Sequence, residues 1–478
     1  MRKIIFGYTF DDYLLVPAYS EVLPDTVDLR SHFSKRVMLN VPIASAPMDK
    51  VTTHPLAIAI AKEGGIGIIH RKMQLEKEVE EVKKVKRHQA YVILAPWTLR
   101  PHNTVVEAKN LMQEKGISGI PIINDVGVLV GIITRRNIQF MRNGDTSMVQ
   151  DVMTQKEDLI TGQMGILPRD ALDIMKRNRV EKLPLVDEHY HLAGLITAKD
   201  VKKSEEFPNA NVDACGRLIV GAAIGVTGDF FERAHALVEA RADVLVIDTA
   251  HGDSKNVVSA LRRLRPAISI DIVAGNIATA SAAIRLVREG ADGLRVGIGP
   301  GSVCTTRIVT GNGVPQMTAI MDVSDAVSDD IPVIADGGIE YSGQIVKGLA
   351  GGASCVMLGK IMAGTHEAPG KLIEIGGKQF KDYRGMGSLA VLNEGGERYG
   401  AKAVPEGVES IVDYIGTVAK VFEQLTGGIR QGMGYQGCTT VKMLSLSPTF
   451  CRITAAGLRE SHVHGVHITN EAPNYKAP

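Results

Sequence analysis

Cysteine is scarce. Five occur among 478 residues, Cys215, Cys304, Cys355, Cys438 and Cys451, an odd and scattered set without a CxxC pair. That argues against a disulfide framework or a zinc site and suits a reducing compartment. Aromatic residues make up only 5% of the chain. Neither sign of charge prevails: 54 basic and 53 acidic residues leave a formal net charge of +1. Such balance gives no electrostatic reason to expect nucleic acid or a membrane surface as a partner. No stretch approaches the ~18 uninterrupted apolar residues of a membrane span. The N-terminal stretch MRKIIFGYTFDDYLLVP has Asp11 and Asp12 where a signal peptide needs an apolar run. The expectation is a soluble cytoplasmic protein.

Glycine, by contrast, is abundant at 50 residues, and 45% of the chain is hydrophobic. That mix suits an α/β chain with many tight strand–helix turns. VPIASAPMD at 41–49 precedes a helix over 55–63, and GGIGIIH at 64–70 precedes a charged helix over 74–88 with an apolar stripe. From residue 218 the alternation resumes with LIVGAAIG, DVLVIDTAHG, SIDIVAGNI, GLRVGIG, IPVIADGGI and CVMLGK, the last ending at 360. Each run is almost continuously apolar, as a strand buried on both faces should be. Eight βα units predict a (β/α)8 TIM barrel with its active site at the C-terminal ends of the strands. A doubly wound open sheet is the alternative. The count of eight, and the lack of a strand leading into a GxGxxG helix start, weigh against it.

Between strands two and three lies a segment of different character. GIIT at 131–134 recurs 63 residues later as GLIT at 194–197, and at the same offset Ala108 matches Ala171, Met112 matches Met175, Pro121 matches Pro184 and Asn137 matches Asp200. This is a tandem duplication, each copy reading helix, strand, turn, strand, helix. The expected organisation is barrel over 1–93, a duplicated insert over 94–205, and barrel again over 206–478. The tail is Gly-rich, with YRGMGS at 383–388, a charged run over 393–410, a helix expected over 411–425 and GGIRQGMGYQG at 427–437. Long loops of this kind are usually functional, and a flap is expected at about 388–425.

The sixth strand runs into GIGPGSVCTTRIVTGNGVPQ at 297–316. Its glycines and two prolines favour an irregular loop whose backbone groups are free to act as ligands. Cys304 sits in it beside Ser302, Thr305, Thr306 and Arg307, and is either a nucleophile or an incidental small residue. After strands seven and eight, Asp336–Gly337–Gly338 and Gly359–Lys360 occupy the usual phosphate position of such barrels. Their backbone N–H groups can approach phosphate oxygens, and Asp336 can accept from two ribose hydroxyls. Asp248 and Asn276 end strands four and five and serve either a ligand or the cap of the next helix.

These motifs, together with RITAAGLRESHVHGVHITNEAPNY at 452–475, resemble the inosine-5′-monophosphate (IMP) dehydrogenase family over essentially the whole chain. The duplicated insert resembles the tandem CBS (Bateman) repeats that many members carry. The resemblance implies NAD-dependent oxidation of IMP to XMP, the committed step of guanine nucleotide synthesis. Cys304 would attack C2 of the purine and form a covalent thioimidate. Thr306 with Arg398 and Tyr399 would activate the hydrolytic water, although an arginine is an unusual base at its ordinary pKa. Met48, Ser302, Asp336, Gly337, Gly338, Gly359, Lys360, Tyr383, Gly385, Met386, Gly387 and Glu406 would hold IMP. Lys360 stands where the family usually has serine. Asp248, Asn276 and Gly297 would meet NAD. Carbonyls of Gly297, Gly299 and Cys304 would hold potassium (K+), completed by Glu460, Ser461 and His462 of a neighbouring subunit, which implies a homotetramer. Asp200, with Asn137 as its weaker counterpart, would bind an adenine or guanine nucleotide that modulates activity or octamer assembly. Two alternatives remain: a guanosine-monophosphate (GMP) reductase working with NADPH, and a catalytically silent nucleotide sensor.

Overall fold

The computed structural model describes residues 4–88, 92–142, 145–166, 168–394, 404–470 and 472–475. Contacts divide the chain into two compact units, one of residues 1–86, 209–211 and 219–478, the other of 87–208 and 212–218.

In the first unit, strands Ile43–Ser45, Ile66–Ile69, Val220–Ile224, Val244–Asp248, Asp271–Ile277, Gly293–Val296, Val333–Asp336 and Cys355–Leu358 pair in parallel and close into an eight-stranded barrel. Strand eight returns to strand one, and strand two pairs with strand three across the insertion point. Alternate residues divide between two cores, as the period of a strand requires. Ala44, Ile66, Ile68, Val244, Val246, Ile334 and Met357 pack together with Phe33 and Leu39. Ile43, Ala335 and Val356 pack instead with helix residues Leu56, Ile60, Ile345 and Leu349. Cys355 is wholly buried in the former cluster, and that burial pushes its thiol pKa up.

The outer helices start where side chains can cap them. Ser254 accepts from the Val257 N–H, and Thr279 from the Ala282 N–H. The tail departs from expectation in two places. Residues 411–413 continue a strand, Glu409–Asp413, antiparallel to Lys378–Arg384 in a three-stranded sheet with Leu372–Ile375. Alternation in ESIVD, exposed and half-buried by turns, decides this over a helix. The helix runs later, Val418–Tyr435, straight through the glycines of GGIRQGMGY. Two of those glycines, Gly428 and Gly432, serve close packing on the helix Ser342–Ala350: a Cβ on Gly432 would lie 2.7 Å from Val346.

In the second unit both copies form the same elements. Helix Val105–Lys115 is followed by strands Gly119–Ile123 and Leu129–Thr134. Helix Pro168–Asn178 is followed by Lys182–Val186 and Leu192–Thr197. The parallel pairing of Gly162 with Leu185 recurs as a bridge between Leu99 and Ile122, again at the 63-residue offset. The copies also exchange strands. Val92–Ile93, which leads into the first copy, pairs with the second copy's Leu192–Thr197. Thr154–Gln155, which leads into the second, pairs with the first copy's Leu129–Thr134. No helix among the described residues is long and apolar enough to cross a membrane.

Candidate active site

A cavity of about 250 Å³ opens at the C-terminal ends of the barrel strands. The loop after strand six forms one wall. It is less irregular than its composition predicts, because Thr306–Thr310 makes a short helix closed by Gly311 in the left-handed conformation. Arg307 folds back within it, donating to the carbonyls of Ile298 at 3.0 Å and Val314 at 2.6 Å. The cation next to the cysteine in sequence therefore braces the loop.

Cys304 is half-buried on this wall. Its Sγ lies 3.1 Å from the hydroxyl of Thr306, which donates to Oε2 of Glu406 at 2.8 Å. A thiol, a hydroxyl and a carboxylate thus stand in hydrogen-bonded series. Glu406 is 100 positions from Thr306, and its strap is fixed from both sides. The Thr305 N–H donates to the Glu406 carbonyl, and the Glu406 N–H donates to that of Gly387. Val408 and Gly385 continue the ladder, with a bridge between Cys304 and Gly407. Gly385 and Gly407 touch: a Cβ on Gly385 would meet the Val303 carbonyl at 2.9 Å and the Gly407 Cα at 3.2 Å.

Beside this loop, after the neighbouring seventh strand, Gly337 and Gly338 take positive φ of 89° and 79°, a conformation that favours glycine. Lys360, after Gly359, pairs with Glu340 at 2.6 Å. Tyr383 is buried beside Ser302, and burial pushes its phenol up to about 12. Its hydroxyl lies 3.8 Å from the Met48 sulfur.

Beneath the cavity runs a buried polar array. Arg295 donates to Asp248 at 2.7 Å and to Oδ2 of Asp336 at 2.8 Å, and Asn276 Nδ2 donates to the same Oδ2 at 2.7 Å and to the Gly297 carbonyl at 2.8 Å. Asn276 Oδ1 is buried with no partner among the described residues. An unmet acceptor costs free energy unless a ligand supplies a donor. Arg295 escaped the sequence reading. Its signal was one charged residue inside the otherwise apolar GLRVGIG.

Most of the residues singled out from the sequence meet here. Met48, Asn276, Gly297, Gly299, Ser302, Cys304, Thr306, Asp336, Gly337, Gly338, Gly359, Lys360, Tyr383, Gly385, Met386, Gly387 and Glu406 all line the cavity. Asp248 lies behind that wall, 1% exposed against Arg295. Glu460 and Ser461 lie in or beside the helix Ala455–Ser461, while His462 packs on Tyr341 and Tyr475; none of the three lines the cavity. Asn137 and Asp200 sit in the second unit as helix-cap partners of Thr134 and Thr197. Arg398 and Tyr399 lie outside the described residues.

The model of the IMP dehydrogenase / GMP reductase domain matches residues 7–464. The chain belongs to that family. It is 50% identical over 482 residues to inosine-5′-monophosphate dehydrogenase of Aquifex aeolicus, covering 99% of this chain and 98% of the relative. To the Bacillus subtilis enzyme of the same name it is 50% identical over 479 residues, 98% of each. Among solved structures, a GMP reductase variant from Trypanosoma brucei in complex with guanosine 5′-monophosphate superposes with a TM-score of 0.77 at 38% identity, covering 97% of this chain and 99% of that one.

Proposed function

We propose that this chain oxidises IMP to XMP with NAD. The observation that carries this reading is the hydrogen-bonded series from Cys304 through Thr306 to Glu406 on the wall of a cavity lined by glycine loops. In this reading the Cys304 thiol gives up its proton to solvent, the thiolate adds to C2 of the purine, and the C2 hydrogen leaves as hydride, which NAD accepts. The thioimidate so formed is released by water: oxygen adds to C2, the C–S bond breaks and the thiolate returns. Glu406 takes the water proton through the Thr306 hydroxyl, a role suited to a carboxylate and not to an arginine at its ordinary pKa. Arg398 and Tyr399 are proposed to complete the water site.

Asp336 offers Oδ1 to the ribose hydroxyls, since its bonds to Arg295 and Asn276 both fall on Oδ2. The backbone of Gly337, Gly338 and Gly359, with Lys360, meets the phosphate. Met48, Ser302, Tyr383, Gly385, Met386 and Gly387 enclose the nucleotide. The unmet Asn276 Oδ1 fits a carboxamide N–H of NAD, with Gly297 alongside and Asp248 orienting the wall through Arg295. The carbonyls of Gly297, Gly299 and Cys304 are hard, neutral donors of the kind a potassium ion takes. Glu460, Ser461 and His462 of a neighbouring copy would complete that site in a homotetramer.

Residues 94–205 are proposed as a tandem CBS regulatory insert between barrel segments 1–93 and 206–478. An adenine or guanine nucleotide would displace Thr197 and Thr134 from Asp200 and Asn137. A cytoplasmic location accords with the cysteine usage.

The test is NADH formation from IMP and NAD in potassium buffer. The second reading, a GMP reductase, is favoured by the Trypanosoma brucei structures; it requires NADPH consumption with GMP and no NADH from IMP.

A further inference from the structure

The phosphate end of the cavity carries little available positive charge. Among the described residues lining the cavity, the cations are Arg295 and Lys360, against carboxylates of Asp11, Asp336, Glu340 and Glu406. Arg295 is committed to Asp248 and Asp336. Lys360 is held by Glu340, Nζ to Oε1 at 2.6 Å, with the two side chains 44% and 49% exposed. An ion pair so open to solvent is weak and readily exchanged for a stronger anion.

The partners differ in freedom. Glu340 has a fixed backbone: its N–H donates to Gln344 Oε1 at 2.7 Å, and Gln344 Nε2 donates in turn to Asp11 at 3.0 Å. Lys360 reaches its partner on a flexible four-carbon stem. Both residues stand at the edge of the glycine loops, Glu340 two positions after Gly338 and Lys360 one after Gly359.

We propose that Glu340 is a positioning residue that holds Lys360 off the phosphate subsite, so that only a ligand bringing a phosphate dianion draws the ammonium across. The inference rests on reading the cavity as a nucleoside monophosphate site. A phosphate presents up to two charges and three acceptor oxygens and outcompetes a single exposed carboxylate for one ammonium. A monoanionic ester, populated below its second pKa of about 6, competes less well. An uncharged nucleoside does not compete. Glu340 therefore sets a charge threshold for entry, and Lys360 is the group it controls.

A double-mutant cycle of Glu340→Gln and Lys360→Met in the full chain tests this. Two quantities are read: KM and kcat with IMP, and, independently of turnover, calorimetric binding of ribose 5-phosphate. Glu340→Gln is expected to tighten ribose 5-phosphate about 3-fold and lower KM for IMP by a similar factor, the change lying in KM and not in kcat. Lys360→Met weakens both about 10-fold, and Glu340→Gln then has no further effect. An equal effect of Glu340→Gln with and without Lys360 would mean plain repulsion of the ligand and would overturn the proposal. So would no effect, or one confined to kcat. If the cycle holds for ribose 5-phosphate while IMP yields no NADH, the assigned reaction fails and the ion-pair device stands. If IMP is oxidised and the cycle is flat, the device alone fails.

Discussion

Arg295 Nε lies 2.8 Å from Oδ2 of Asp336, while its Nη1 reaches Asp248 at 2.7 Å. One guanidinium on strand six thereby ties the end of strand four to the end of strand seven. Arg295 and Asp248 are 4% and 1% exposed, and charges so deep persist only while paired. Arg295→Met removes the cation that two carboxylates share and is expected to cost about 3–5 kcal/mol, seen as a lower urea midpoint. With Asp336 no longer held, KM for IMP should rise at least about tenfold, since one fold-of-ten is only ~1.4 kcal/mol of lost orientation. Arg295→Lys keeps the charge but not the fork, so it should recover part of the stability and little of the KM. An unchanged KM in both variants would separate Asp336 from Arg295.

Glu406→Gln keeps an acceptor for the Thr306 hydroxyl and removes the base. Rapid mixing should show a first turnover of NADH close to wild type, followed by steady-state turnover reduced by about 10²–10⁴. Mass spectrometry should find the adduct on Cys304. Loss of the first turnover itself would assign Glu406 to thiol activation instead.

His70 gives the fold an acid limit. It is 5% exposed at the end of strand two, and burial lowers its pKa to about 4 against the opposing influence of Asp49 and Glu81. Between the unfolded value of 6.5 and about 4 the unfolded chain binds a proton that the native state refuses. Stability should therefore fall as pH drops through that window, by roughly 3 kcal/mol at most. His70→Gln should flatten this part of a pH series of urea midpoints.

Gly432→Ala sets two effects against each other. Alanine favours a helix by about 1 kcal/mol over glycine, but its Cβ would stand 2.7 Å from Val346. Overpacking of this kind costs about 1–3 kcal/mol, so the variant should melt lower than wild type. A higher Tm would mean that the helix shifts freely on Val346.

The barrel was legible because strands buried on both faces leave continuous apolar runs, each closed by a polar residue. The repeat was legible because its landmarks keep one offset. Arg295 was not, because a charge within an apolar strand has meaning only once Asp248 and Asp336 are known to converge on it. The link from Thr306 to Glu406 spans 100 residues and depends on the strap at 404–408 docking beside the Cys304 loop. The helix Val418–Tyr435 was hidden because its glycines look like loop residues, whereas Gly428 and Gly432 answer to a neighbouring helix. Lys360 reads as a phosphate ligand in sequence, and only the fold shows Glu340 already holding it.

The exchange of leading strands between the two copies of the insert has a mechanical consequence. Val92–Ile93 borders the second copy's sheet, and Thr154–Gln155 borders the first's. Neither repeat owns all of its own edge, so neither can be excised or unfold without fraying the other. The unit is a pair of interlocked halves, each sheet bordered by the strand that leads into its twin.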